Sequence, residues 1–253
     1  MIYSLDIEVL NSLTITEFAV LRYIDNNKKE VLKMSIQNLA EKNFVSTTTI
    51  IRLCKKLKLS GFSELKFKLK SEIESESILS KDLTLEKIID NNLLNITNTA
   101  NKIDKQIISE IISKIEEVDR IHFFGKGLSG ALTSYFSKIL STLGINNYLY
   151  EDTHIAYIAA EQMTKKDLIF INSLSGNTNQ AVRFAQLCKS RNATIITVTA
   201  NKSSQLSQIS DYTLEFSSGK RHPYVADIVS RLPSLFVFDI LVESLVTKMH
   251  QNN

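Results

Sequence analysis

Several protein classes are excluded by what this sequence has little of. Its 253 residues include only two cysteines, two prolines and seven glycines. Cys54 and Cys188 lie far apart and fit neither a disulfide framework nor a metal-ligand spacing. No stretch approaches 18 consecutive apolar residues, so no membrane span is expected. The opening MIYSLDIEVLNSL has no basic stretch followed by a long apolar core, and so no secretory signal is evident. No G-x-x-x-x-G-K-[ST] string occurs, which removes the P-loop nucleotide site. Disorder is excluded as the dominant state by a hydrophobic fraction of 43% beside a net charge of only +3. These absences lead to the expectation of a cytoplasmic protein with no metal and no cofactor.

The charge that is present is unevenly placed. From Lys42 to Lys70 there are eight basic residues against one acid, Glu64, whereas from Ser71 to Asp90 acids dominate. The basic stretch coincides with short amphipathic helices. Thr14 and Glu17 form a capping box ahead of Phe18, Leu21 and Ile24 at helical spacing. Ser35 opens a second helix carrying Ile36, Leu39 and Ala40. After the turn Asn43-Phe44-Val45, Ser46 caps a third that runs to about Leu57. Ile50, Leu53 and Leu57 share one face of it and leave Thr47, Thr48, Arg52, Lys55 and Lys56 towards solvent. Helix, brief turn, helix with a basic outer face is the helix-turn-helix pattern. Ser63 begins a fourth helix with Leu65 and Leu69 inward.

Between Leu83 and Val118 two further helices are expected, broken near Asn101 to Asp104. The pattern then switches to short strands alternating with helices. The strands are Ile121 to Phe124, Asn147 to Tyr150, Leu168 to Asn172, Thr194 to Thr197 and Tyr212 to Phe216. Such alternation predicts parallel βαβ units in a three-layer α/β/α domain. A last amphipathic helix covers roughly Val229 to Met249. The fold class is therefore α/β: an all-α helix-turn-helix domain at 1–77, helical linker and entry helices at 78–118, and a parallel-sheet domain at 119–253.

Two of the strand-to-helix turns have the composition of a phosphate site. Phe124-Gly125-Lys126-Gly127-Leu128-Ser129-Gly130 places three glycines and a serine where a helix begins. Asn172-Ser173-Leu174-Ser175-Gly176-Asn177-Thr178 places three hydroxyls around one glycine, again at a helix start. Free N–H groups and the positive end of the helix dipole favour an anion there, and the carboxyl ends of parallel strands are where such sheets bind ligands. The competing explanations are a glycine turn that serves only helix packing and hydroxyls that serve only as helix caps. A dinucleotide fingerprint is weaker, since the third glycine is out of place and no acidic residue follows a second strand at the expected interval.

Together these two turns resemble the sugar isomerase (SIS) domain, in which an S-x-S-G-x-T loop cradles the phosphate of a phosphosugar. The segment Val45-Ser46-Thr47-Thr48-Thr49-Ile50-Ile51-Arg52-Leu53-Cys54-Lys55-Lys56-Leu57, continued by Gly61-Phe62-Ser63, is similar to the helix-turn-helix of RpiR/MurR-type transcriptional regulators. One departure is Lys58, where that family usually has glycine. The resemblance implies a homodimer or homotetramer that binds operator DNA under control of a sugar phosphate. For that ligand the expected contacts are Gly127, Ser129, Ser173, Ser175, Gly176 and Thr178, with Lys126, His154 and Lys220 to His222 as candidates near the sugar. For DNA they are Ser46, Thr47, Thr48, Thr49, Arg52 and Lys55. Two alternatives stay open. One is a phosphosugar isomerase, for which Glu151 and His154 are the best bases on offer and His122 reads as a packing residue. The other is an oligomerisation module with a vestigial pocket.

Overall fold

A computed structural model describes residues 7–81, 84–219 and 227–251. The chain divides into two compact units, one ending at Thr84 and the other beginning at Leu85.

The first unit is helical: α1 (Ile7–Ser12), α2 (Ile15–Asn26), α3 (Lys28–Val31), α4 (Ile36–Lys42), α5 (Thr47–Lys56) and α6 (Phe62–Lys81). Thr14, Ser35 and Ser46 cap α2, α4 and α5 through their hydroxyls, and Glu17 closes the Thr14 box by bonding back to the Thr14 N–H. Val20, Leu21, Ile24, Leu39, Ile50, Leu53, Cys54, Leu65 and Leu69 form its core. The periodicity of α2 is shifted from expectation. Phe18 stays 42% exposed, while its neighbour Glu17 is fully buried.

Both α4 and α5 end in the same geometry. The N–H two residues past the cap reaches back to the third-last helical carbonyl, Val45 to Ala40 and Leu59 to Cys54, with Phe44 and Lys58 at φ 55° and 59°. Those are left-handed positions of the kind usually given to glycine. Lys58 thus adopts the conformation its replaced glycine would supply, and the following Leu59 is buried in the core.

In the second unit α7 (Leu85–Ala100) and α8 (Lys105–Glu117) precede five strands: β1 (Arg120–Gly125), β2 (Asn147–Tyr150), β3 (Asp167–Asn172), β4 (Thr194–Thr199) and β5 (Tyr212–Glu215). Between them lie α9 (Leu128–Thr142), α10 (Thr153–Glu161), α11 (Asn179–Ser190) and α12 (Gln205–Ile209), and α13 (Leu232–Gln251) follows β5. Every strand pair is parallel, in the order β2-β1-β3-β4-β5.

Alternating strand residues build a core on each face. Ile121, Phe123, Leu168, Phe170, Ile196 and Val198 pack with α8, α9 and α13. Phe124, Ile169, Ile171 and Ile195 pack with α10, α11 and α12. This is the three-layer arrangement that an alternating βα pattern demands. The first chain reversal in strand order falls between β1 and β3. Their following helices, α9 and α11, leave to opposite faces, which opens a crevice at the strands' carboxyl ends.

The break between α7 and α8 falls at Asn101–Asp104, and α7 is anchored by its last turn, where the buried Thr99 accepts the Ser217 N–H at 2.9 Å. Its earlier residues Leu85, Ile88, Ile89, Leu93 and Leu94 are exposed. At the amino ends of the strands, His122 is buried between Asp167 (2.9 Å) and the Tyr150 hydroxyl (2.9 Å), and Asp167 also takes a two-pronged bond from Arg120. His122 is thus a packed and fully bonded residue, on the edge of the sheet opposite to the crevice.

Because Lys58 holds a left-handed turn without being glycine, Lys58→Gly should stabilise the first unit by about 0.5–1 kcal/mol. The midpoint of its urea unfolding, followed by helical circular dichroism, reads this directly.

Candidate functional site

The crevice is built by the two turns singled out above. Gly125 pairs in register with Asn172, so the turns leave neighbouring strands side by side. Four further bonds hold them in place. The buried Asn172 side chain donates to the Ser129 carbonyl (3.3 Å) and accepts from Ser234 in α13 (3.2 Å). Ser173 Oγ accepts from the Gly176 N–H at 3.2 Å and lies 3.1 Å from Thr178 Oγ1.

The glycines serve different ends. Gly127 has φ 57°, and a β-carbon there would meet nothing within 4 Å, so it is the left-handed backbone rather than crowding that calls for glycine. A β-carbon on Gly125 would lie 2.9 Å from the Ser129 carbonyl group, so this position lets the first turn of α9 sit against the strand end. At Gly176 a β-carbon would fall 2.1 Å from Ser204 Oγ, with φ already at 65°. Its smallness therefore serves packing against the start of α12, a reason different from the close approach to ligand expected from sequence.

The result is a cavity of about 120 Å³ lined by Lys126, Ser129, Asn172, Ser173, Leu174, Ser175, Thr178, Ala181, Asp227 and Arg231. That volume is well below a whole-ligand pocket and suits a compact polar group whose remainder lies outside. A larger groove of about 650 Å³ runs between α8 and α13, but isoleucines line much of it and no strand end converges there.

The capping explanation for the hydroxyls fails here. Side chains cap α2, α4, α5, α8, α10 and α12. At α9, whose cap position is Gly127, and at α11, whose cap position is Thr178, no side chain does. The two helices that begin at the cavity thus keep their N-terminal amides unclaimed by side chains, the condition for an anion site. Ser129, expected at the very start of its helix, is instead the second residue of α9 and is buried in the cavity wall.

Of the expected ligand residues, Ser129, Ser173, Ser175 and Thr178 line the cavity, and Gly127 and Gly176 shape its turns. Lys126 reaches the rim, where its Nζ donates to the Glu151 carbonyl at 3.0 Å. His154 and Glu151 are exposed and outside the lining. Lys220, Arg221 and His222 lie outside the described residues. Sequence reasoning missed Asn172, Asp227 and Arg231. Only proximity to the end of β3 could have signalled the first, and nothing local marks the other two.

On the helix-turn-helix, Ser46 and Thr48 are exposed, and Thr47 and Thr49 partly so. Ser46 Oγ accepts from the Thr49 N–H (3.2 Å) and lies 3.0 Å from Thr49 Oγ1, so both hydroxyls are engaged at the cap. Those of Thr47 and Thr48 have no protein partner among the described residues. Lys55 is exposed. Arg52 is 56% exposed, yet its Nε bonds Glu17 Oε1 at 2.6 Å. Lys56 is committed more fully, to Glu17 Oε2 (2.7 Å) and the Ser12 carbonyl (2.6 Å). Burial raises the Glu17 pKa, but hydrogen bonds from Lys56, the Thr14 backbone, Arg52 and the Thr14 hydroxyl outweigh it and bring the carboxyl down from 4.5 to about 2.

The chain thus joins a helix-turn-helix unit to a doubly wound unit with a small polar cavity at its switch point. Comparison with known proteins agrees: residues 114–244 match the SIS domain, and residues 7–76 match the helix-turn-helix domain of the rpiR family. The chain belongs to the RpiR family of HTH-type transcriptional regulators, whose C-terminal part is a SIS sugar-phosphate-binding domain.

It is 28% identical over 254 residues to an uncharacterised HTH-type transcriptional regulator of Caldanaerobacter subterraneus subsp. tengcongensis, covering 97% of this chain and 90% of the relative. Among solved structures, the Vibrio vulnificus NanR protein complexed with ManNAc-6P has the same fold, with a TM-score of 0.65 and 24% identity over 96% of this chain and 90% of that one. The sugar isomerase domain of an RpiR transcription factor from Sphaerobacter thermophilus gives 0.59 and 19%, over 64% of this chain and 89% of its own. No helix among the described residues is long and apolar enough to cross a membrane.

Two outcomes follow. Glu17 favours the folded state wherever it is ionised there. Its contribution should be complete above pH 4.5 and vanish as the pH falls from 4.5 towards 2. Glu17→Gln should flatten that part of the first unit's stability–pH curve in acid titrations followed by circular dichroism. Gly176→Ala should cost about 1–3 kcal/mol through overpacking alone, read as a lowered melting temperature of the second unit.

Proposed function

We propose that this regulator controls genes of carbohydrate metabolism in the cytoplasm, and that a sugar phosphate in the cavity changes its affinity for operator DNA. The carrying observation is the pair of uncapped helix starts, α9 and α11, that meet around the hydroxyls of Ser129, Ser173, Ser175 and Thr178. A phosphate ester satisfies amides and hydroxyls together, and its remaining sugar fits the mouth of so small a cavity. ManNAc-6P in the NanR complex gives the class of ligand a precedent in a protein of like fold. The functional division follows the same lines: 1–77 for DNA, 78–118 as helical connection, 119–253 for the effector.

On the DNA side, Thr47 and Thr48 at the start of α5 face base edges, and Lys55 with the outer nitrogens of Arg52 neutralises phosphates. Ser46 and Thr49 support the helix start and contact DNA only through what their cap leaves free. Two copies of α5 are needed for a palindromic site. The exposed apolar residues of α7 and the isoleucine-lined groove between α8 and α13 offer surface for a homodimer or homotetramer. Effector control is then linkage: a ligand that binds one arrangement of the oligomer better shifts its population, and DNA affinity shifts with it. The isomerase reading lacks support from the cavity lining, where Asp227 is the one carboxylate among the described residues and is paired with Arg231.

The test is a thermal-shift screen of sugar phosphates followed by operator gel shifts with each hit. Altered gel shifts without turnover support the regulator, whereas turnover of a hit supports the isomerase. In titration calorimetry Ser175→Ala should weaken effector binding by about 1–3 kcal/mol and leave operator affinity without effector unchanged. Lys55→Ala should do the reverse, weakening operator binding and reducing its salt slope by about one ion. Lys55 is the cleaner probe, because Arg52→Ala also breaks the bond to Glu17.

A further inference from the structure

Apart from Lys126, Asp227 and Arg231, the polar groups lining the cavity are hydroxyls and amides, which carry no formal charge. A phosphate monoester brings roughly −1.5 to −2 at neutral pH. Lys126 stands only at the rim, its Nζ held by the Glu151 carbonyl. The charge balance therefore turns on Arg231, the residue just before α13. Its side chain is 9% exposed, and the start of its helix is tied to the cavity by the Ser234 bond to Asn172.

Arg231 is incompletely satisfied for a guanidinium so far from water. Nη1 donates to the Val229 carbonyl at 2.7 Å, and Nη2 to Asp227 Oδ2 at 2.5 Å. Nε is buried without a partner among the described residues. Its one countercharge among the described residues, Asp227, is 57% exposed and so retains an aqueous alternative. Leaving a donor unpaired inside is costly, and a carboxylate half in water compensates it poorly. A guanidinium fork matches carboxylate and phosphate with the same geometry.

Resting on the phosphate reading of this cavity, we propose that Asp227 is an internal stand-in for the ligand. It occupies Arg231 in the empty site, and a phosphate ester displaces it to take Arg231 as its cationic anchor. The exchange is of ionic and hydrogen bonds only, with no covalent step. Asp227 returns to water, where it is already half exposed, while the phosphate gains the donors of a preformed, rigidly mounted arginine. Asp227 thus sets a threshold: effector must compete for Arg231, so binding is weaker than the cavity alone would allow.

The experiment is a double-mutant cycle on the full chain, by titration calorimetry with inorganic phosphate, glucose 6-phosphate and ManNAc-6P. Asp227→Asn should bind the tightest of these about three- to tenfold more strongly than the unaltered protein. Arg231→Gln should bind about tenfold or more weakly. In the Arg231→Gln background, adding Asp227→Asn should change little, because the competition has been removed. An equal gain in both backgrounds would show simple repulsion of the anion and overturn the exchange. Unchanged or weaker binding by Asp227→Asn, with Ser175→Ala still impaired, overturns it and leaves the cavity's role intact. Absence of binding by every variant and by the unaltered protein overturns both. Should Arg231→Gln fail to fold, Arg231→Lys replaces it, retaining charge without the fork. The sign of the Asp227→Asn effect decides in any case.

Discussion

The geometry of this protein's second unit depends on one constraint: parallel strands must be joined by crossovers, and the direction of crossing changes once, between β1 and β3. Where it changes, the helices that follow the two adjacent strands, α9 after β1 and α11 after β3, part to opposite faces and leave the space above the strand ends open. The backbone amides that begin those helices then point into a gap with no side chain to receive them. Six other helices receive a side-chain cap, from Thr14, Ser35, Ser46, Asp104, Asp152 and Ser204, whereas the short α3 has none at Asn27. At α9 and α11 no side chain caps the start. On the proposed reading, the site's preference for an anion would be largely a property of topology, with the hydroxyls as refinements of it.

The first unit solves a different problem, keeping a short recognition helix rigid while its outer face remains polar. Glu17 performs this from the inside. One buried carboxylate gathers the Thr14 amide, Arg52 and Lys56, and so ties the start of α2 to the face of α5. Two of the cations that sequence assigned to solvent are therefore partly structural. On the proposed reading, what would remain free to meet DNA is narrower than the basic composition suggests: Thr47, Thr48, Lys55 and the outer nitrogens of Arg52.

Much of this was legible in the sequence, for identifiable reasons. Strands buried on both faces read as apolar runs, and the Thr14 box and the break at Asn101–Asp104 are local signals that tertiary packing did not override. Phe18, read as inward from helical spacing, stays partly exposed, while Glu17 is buried with the cost of its burial offset by bonds from Thr14, Arg52 and Lys56. The cavity was half legible. Serine and glycine in a strand-to-helix turn announce themselves, but Arg231 and Asp227 come from the far end of the chain, and no spacing rule connects them to β3. The reason for Gly176 was likewise hidden, since Ser204 approaches it only through folding.

The modest size of the cavity has an evolutionary corollary. If only the charged head of an effector enters, the interior recognises what all such metabolites share and contributes nothing to telling one from another. Discrimination then falls to groups at the entrance, where substitutions are cheap because neither the sheet nor the uncapped helices are disturbed. A lineage of regulators could retune which nutrient it senses by altering that threshold zone alone, and keep the machinery beneath it unchanged.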